Sequence, residues 1–136
     1  MNKLIKSVIL AIILMFAVPV YAANTIDVSD DGLTISISNI DSNWTWTDNF
    51  THAKYADGIR IAYIRFHPGA TDDICIIGDS DNADLYHFYV KCADTYDDRI
   101  QYYSGSKLKL ALVVATGTYS TADDVLVIQL WPTQEP

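Results

Sequence analysis

Short segments in which apolar and polar residues alternate are the feature that most constrains the fold of this chain. The clearest is Leu33-Thr-Ile-Ser-Ile-Ser38, which follows the turn signal Ser29-Asp-Asp-Gly32. Successive side chains of a strand point to opposite faces, so a period of two predicts a strand with one wet face. Comparable segments predict further short strands over Ile26–Val28, Trp44–Trp46, Gly58–Phe66, Ile74–Ile77, Leu85–Cys92, Arg99–Tyr103, Lys107–Val114 and Val125–Trp131.

The segment Gly58–Phe66 differs from the others because both of its faces are apolar. The two faces consist of Ile59, Ile61 and Tyr63, and of Ala62, Ile64 and Phe66. A strand that is apolar on both sides is typical of the middle of a sheet, so we expect this strand to be central.

The acidic residues also favour strands and turns over helices. Sixteen of the 17 acids are Asp, and Glu135 is the only Glu. Asp favours turns because its side chain bonds nearby backbone, whereas Glu favours helix surfaces. We therefore predict an all-β fold: one antiparallel β-sandwich, jelly-roll-like, with about eight short strands over residues 23–136.

Residues 1–22 have the organisation of a secretory signal peptide. Lys3 and Lys6 precede the apolar run Val8–Val18, Pro19 breaks it, and Val20-Tyr21-Ala22 ends in a small residue. This pattern predicts cleavage before Ala23 and a secreted or periplasmic protein. The alternative is an uncleaved membrane anchor, since the apolar stretch is near the shortest length that spans a bilayer.

Net charge restricts the partners of the exported chain. The full chain carries −8, and loss of Lys3 and Lys6 with the signal peptide would leave −10. Such a surface repels phosphate groups, so we expect neither nucleic-acid binding nor membrane insertion after cleavage.

Cys75 and Cys92 are the only cysteines, and an even number in an exported chain predicts a disulfide. If Cys75 lies opposite Cys92 in an antiparallel pair, Ile77 lies opposite Val90, and the apolar residues share one face. The bridge would contribute about 3 kcal/mol in the chain-entropy model. Two buried free thiols are the alternative.

Few patterns indicate chemistry. The aspartates Asp79, Asp81 and Asp84 resemble part of a calcium loop, but Ala83 interrupts the alternation and no bidentate Glu follows. The alternative is that these aspartates only form a turn. Calcium is the only cofactor that the sequence indicates. The histidines His52, His67 and His87 lack metal-ligand spacing, and no Gly-x-Ser-x-Gly motif occurs. We therefore expect a protein that is not an enzyme.

Residues 41–57, which we call the aromatic loop, form the main candidate for a binding surface. With two tyrosines from elsewhere, the loop predicts an exposed platform for a carbohydrate or protein ligand, because flat aromatic rings stack on sugars and anchor interfaces. Alternatively, several of these rings cap the ends of the core. The candidate ligand-binding residues are Trp44, Trp46, Tyr55, Tyr102 and Tyr103.

These features together predict a secreted, non-catalytic binding module for carbohydrates or cell-surface ligands. The alternative is a structural or assembly subunit of an extracellular matrix, a filament or a virion. In that case exposed edge strands and the uninterrupted strand Val125–Trp131 would serve strand addition, and the chain would form a homo-oligomer.

The segment Ala93-Asp-Thr-Tyr-Asp-Asp-Arg-Ile-Gln-Tyr-Tyr-Ser-Gly105, preceded by Phe66-His-Pro-Gly-Ala-Thr-Asp-Asp73, resembles small β-proteins predicted in tailed-phage and environmental viral genomes. The resemblance extends from Ile59 to Leu130. Those proteins are generally of unassigned function, so the resemblance implies a small β fold and no site residues.

Overall fold

The chain folds into two antiparallel sheets, as expected for a β-sandwich. The structure is a computed structural model and describes residues 23–119 and 123–134, so the predicted signal peptide lies outside the described residues. The strands are β1 (Thr25–Val28), β2 (Thr34–Ser38), β3 (Trp44–Thr45), β4 (Ile59–His67), β5 (Ile74–Asp79), β6 (Tyr86–Lys91), β7 (Arg99–Tyr102), β8 (Lys107–Leu108), β9 (Leu110–Leu112) and β10 (Val125–Leu130). Short 3₁₀ turns occupy Trp46–Asp48, Ala53–Tyr55 and Val114–Thr116.

The larger sheet has the strand order β1-β2-β10-β4-β7, and β8 also pairs with β4. The smaller sheet has the order β3-β9-β5-β6. Strand β10 lies between β2 and β4, in registers that pair Ile128 with both Ile35 and Ile64. The prediction that Val125–Trp131 serves strand addition is therefore wrong, because β10 is already paired on both sides, with β2 and with β4.

Strand β4 is central, as its two apolar faces predicted. However, a β-bulge within the strand prevents these two sets of residues from lying on opposite sides of the sheet. Gln129 pairs with Tyr63 while Leu130 pairs with Ile61, so β4 has one extra residue at this point. A bulge reverses the phase of the alternation. Residues on both predicted faces therefore point to the same core, and the buried ones are Ile59, Ile61, Ile64 and Phe66.

The predicted strand Lys107–Val114 divides between the two sheets. Its first part, β8, pairs with β4, whereas β9 pairs with β5 and β3 in the other sheet. The core lies between the sheets and includes Ile37 and Phe66 from the larger sheet and Ile77, Phe88 and Leu112 from the smaller one. Within 23–119 and 123–134, no helix has the length and apolar character needed to cross a membrane.

Candidate functional site

The two tryptophans of the aromatic loop lie in the core and not on the surface. Trp44 is 1% exposed and Trp46 is 6% exposed. Trp44 pairs with the buried Leu112 across β3 and β9, which turns its side chain inward. Its Nε1 donates to Asn49 Oδ1 at 2.8 Å, and Trp46 Nε1 donates to the Tyr55 carbonyl at 3.2 Å. The predicted exposed platform on Trp44 and Trp46 is therefore wrong, because both rings close the end of the core.

The aromatic loop instead presents a smaller group of side chains. Its second 3₁₀ turn begins after His52, whose Nδ1 accepts from the Lys54 N–H at 3.1 Å. The rings of Phe50 and Tyr55 then meet edge to face, with centroids 5.0 Å apart. Lys54 Nζ lies 4.8 Å from the centroid of the Tyr55 ring, within the range of a cation–π contact. The aromatic pair Phe50–Tyr55 and the Lys54 ammonium group thus lie next to each other.

These side chains form one wall of a cleft, which we call the loop cleft. Its volume is about 470 Å³, which is within the usual range for small-molecule sites. Phe50, Lys54 and Tyr55 line it together with Asp31 and Leu33 from the turn before β2. The loop cleft therefore combines apolar surface with a carboxylate and an ammonium group.

The charged groups of the loop cleft are available to a ligand. Among the described residues, no ion pair includes Asp31 or Lys54. Asp31 Oδ1 accepts from Ser29 Oγ at 2.6 Å and from the Leu33 N–H at 2.9 Å. These two hydrogen bonds lower the pKa of Asp31, so its exposed carboxylate is ionised at neutral pH. The cleft can both accept hydrogen bonds, through Asp31, and donate them, through Lys54.

The other two predicted ligand residues lie elsewhere. Tyr102 is 73% exposed and packs edge to face on Tyr63, its partner across β4 and β7. Tyr103 is half-buried, and its hydroxyl donates to the His87 carbonyl at 2.6 Å. Of the five aromatic residues predicted to bind a ligand, only Tyr55 lines the loop cleft.

A second groove of about 310 Å³ crosses the smaller sheet. The backbones of Gly78 and Ala111 are paired across β5 and β9, and the small side chains there leave room above the strands. Tyr86 and Thr45 from the flanking strands also line this groove. Two of the polar side chains that line it, Asn43 and Asp79, already accept hydrogen bonds from backbone N–H groups of the protein.

The carboxylates of two predicted calcium ligands, Asp79 and Asp81, bond other groups of the protein. Asp79 Oδ1 accepts from the Asp81 and Asn82 N–H groups, and Asp79 Oδ2 lies 3.0 Å from His87 Nε2. Asp81 forms an ion pair with Lys109 at 2.6 Å. The Asp84 N–H donates to Asn82 Oδ1, which places it in the turn. In the part of the chain that the structure describes, no three His, Cys, Asp or Glu side chains come together to hold a metal ion.

The two cysteines are free, buried thiols, and their predicted register is wrong. Cys75 lies opposite Val90, and Ile77 lies opposite Phe88, two residues away from the predicted pairing. A second bulge occurs here, since Gly78 pairs with Tyr86. A shift of two residues keeps the same face, so Cys75 and Cys92 remain diagonal neighbours on the core side. The predicted disulfide is thus not formed in the structure and stays a prediction.

The histidines lie far apart in the fold. His67 Nδ1 and Arg65 both bond the Asp98 carboxylate on the outer face of the larger sheet. His87 bonds Asp79, and His52 caps the 3₁₀ turn of the aromatic loop. Each imidazole is engaged in a local contact that positions a turn or strand.

Sequence reasoning missed both charged residues of the loop cleft, Asp31 and Lys54. Asp31 carried a turn signal, and Lys54 is the neighbour of the predicted Tyr55. What brings them together is the packing of the aromatic loop beside the turn before β2, a contact between segments distant in sequence.

Comparison of the chain with known proteins finds no match among protein-family models, among curated proteins or among solved structures.

Proposed function

We propose that this chain is a secreted, non-catalytic binding module that takes a carbohydrate ligand in the loop cleft. The export signal at residues 1–22 and the jelly-roll form of the sandwich belong to this proposal. The observation that carries it is the lining of the cleft, where the edge-to-face pair Phe50 and Tyr55 lies with the unpaired charges of Asp31 and Lys54.

The chemistry of a sugar matches this lining. A sugar ring has apolar C–H surface, which packs on aromatic rings, and hydroxyl groups around its rim. Each hydroxyl group can donate to the Asp31 carboxylate and accept from the Lys54 ammonium. An apolar ligand would leave both charges unsatisfied, and a ligand of a single charge would meet one of them unfavourably. A neutral polyhydroxyl ligand satisfies both.

Substitution of Tyr55 tests the proposal. Tyr55→Ala removes one ring of the pair and should reduce retention on a panel of immobilised polysaccharides at least tenfold, because a contact of about 1.4 kcal/mol is lost. Lys54→Ala should weaken retention as well. Thermal unfolding of each variant shows whether the fold is intact.

Matched controls are present in the chain. Tyr96 is 92% exposed and lies outside the loop cleft, so Tyr96→Ala removes the same atoms without changing the proposed binding site. Lys91 forms an exposed ion pair with Asp72, and Lys91→Ala is the control for Lys54→Ala. Equal retention of Tyr55→Ala and Tyr96→Ala, or no retention of the unaltered protein on any polysaccharide, would contradict the proposal.

A further inference from the structure

Among the residues that the structure describes, strand β1 is an edge strand, and the backbone groups on its outer side have no partner strand. It ends the larger sheet, and all four of its residues are exposed. The Ser29 N–H donates to the Thr34 carbonyl at 2.9 Å in the same register as the β1–β2 ladder. Backbone groups alternate in direction along a strand, so Thr25 and Asp27 bond β2, whereas the N–H and C=O groups of Ile26 and Val28 point away from the sheet.

The other edges of the two sheets are better protected. Strands β6 and β7 are bridged, because Gln101 Nε2 and Tyr103 Oη both donate to the His87 carbonyl. The remaining edges, β3 and β8, have only two residues each. Strand β1 is thus the edge most open to a further strand.

We propose that β1 pairs with β1 of a second copy of this chain, antiparallel and about a two-fold axis at Ile26. The occupant is a second copy because the strand is complementary to itself. Ile26 would exchange two N–H···O bonds with Ile26 of the second copy, and the two larger sheets would become one continuous sheet.

Side-chain faces and charge favour this register over one centred on Asp27. Residues directly opposite each other share a face, so the axis must pass through a residue and not between two residues. An axis at Asp27 would place two carboxylates side by side, which is unfavourable. An axis at Ile26 places Asp27 opposite Thr25 of the second copy. Thr25 Oγ1 already accepts from Asn39 Nδ2 at 2.9 Å, so its hydroxyl hydrogen is available to the Asp27 carboxylate.

The resulting contact is small, and association should depend on concentration. Only a four-residue strand takes part, and the apolar side chains that it can cover, Ile26 and Val28, are 37% and 40% exposed. Interfaces of this size give weak or transient complexes. We expect a monomer–dimer equilibrium between micromolar and millimolar protein.

A pair of charge variants at Thr25 tests both the interface and its register. Sedimentation equilibrium is measured on protein expressed from the full coding sequence and purified. Thr25→Lys sets an ammonium group opposite Asp27 twice per dimer and should lower the dissociation constant about two- to thirtyfold. Thr25→Asp sets like charges together and should raise it by a comparable factor. Thr25→Lys loses the hydrogen bond from Asn39 Nδ2, whereas the carboxylate introduced by Thr25→Asp can still accept it, so thermal unfolding of both variants is measured as a control for this difference.

A proline pair locates the interface. Ile26→Pro removes an N–H that points away from β2, and an edge strand tolerates this change. It should abolish the dimer. Ile100→Pro makes the same change on β7, at the opposite edge of the same sheet, and should leave the dimer unchanged.

Amide hydrogen exchange of the unaltered protein locates the interface without a substitution. The Ile26 amide should become protected as protein concentration rises, while the Ile100 amide exchanges at a constant rate. A monomer throughout the concentration range, equal effects of Thr25→Lys and Thr25→Asp, or protection at Ile100 and not at Ile26 would each overturn the proposal.

Discussion

The Trp44 indole shows how a single residue is placed by partners distant in sequence. It pairs with Leu112 across β3 and β9, and its N–H is satisfied by Asn49 Oδ1. A buried tryptophan of this kind contributes packing to the core and has no ring face left for a ligand. Substitution of Trp44 therefore tests the stability of the fold and not the binding of a sugar.

We predict that Trp44→Ala lowers the free energy of unfolding by about 3–5 kcal/mol, since it leaves a large cavity in the core. Trp131→Ala is the matched control, because this indole is 40% exposed and its loss should cost less than half as much. Urea unfolding followed by circular dichroism measures both. A Trp44→Ala variant as stable as Trp131→Ala would mean that Trp44 does not lie in the core.

At the scale of elements, the pair β5–β6 shows that alternation determines which residues share a face, whereas the turn determines the register of the two strands. The pattern correctly predicted that Cys75, Ile77, Phe88 and Cys92 share the core face. The register differs by two residues because Asp79 holds the turn through the Asp81 and Asn82 N–H groups and a bulge follows. Alternation is unchanged by a shift of two, so no pattern of apolar residues could distinguish the two registers.

The packing of the segment before β10 on β5 predicts a loss of stability at alkaline pH in the reduced protein. Burial raises the pKa of the Cys75 thiol above its ordinary value of 9.0 and that of the Tyr119 phenol above 10.0. The neutral forms are thus favoured in the folded state, and the unfolded chain releases these protons first. The free energy of unfolding should therefore be unaffected below about pH 9 and fall as pH rises beyond it.

Urea midpoints between pH 8 and pH 11 measure this effect. Tyr119→Phe keeps the ring and removes the phenol proton, so its stability should fall less steeply with pH, although it loses the hydrogen bond from the Ile76 N–H. Identical slopes for the two proteins would contradict the assignment to Tyr119.

The state of the two thiols is a separate prediction at the same scale. If the protein forms the Cys75–Cys92 bridge, its mass under non-reducing conditions is lower by two hydrogen atoms, and the two cysteines resist alkylation after unfolding. Complete alkylation in denaturant would show that both thiols are free, as in the structure.

At the scale of the whole molecule, the acidic surface is balanced by local partners of its carboxylates. The Lys109 ammonium lowers the pKa of Asp81 by hydrogen bonding and charge. The Ala93 N–H and then Arg99 lower the pKa of Asp97. Burial opposes the shift at Asp98, but its bonds to His67 and Arg65 are stronger and lower the pKa. The ionised surface aspartates therefore stabilise the turns and strands that they contact.

We predict that the protein loses stability in acid. Because the folded-state pKa values of these aspartates lie below 3.8, the unfolded chain takes up protons first as pH falls. Their contribution is fully present above about pH 5 and is lost as pH falls through 4 toward 2. Thermal midpoints across this range measure the loss, and Asp81→Asn should flatten the slope. A midpoint independent of pH would contradict the prediction.

What the sequence by itself determined is local: the strand segments, the turns rich in Asp, the all-β class and the side chains that share a face. These follow from the alternation along a strand and the preferences of single residues. The tertiary structure alone decided that β10 is central, that Trp44 and Trp46 are buried, and that Asp31 and Lys54 share a cleft with Tyr55. Strand neighbours and burial depend on contacts between segments far apart in the chain, which no local pattern specifies.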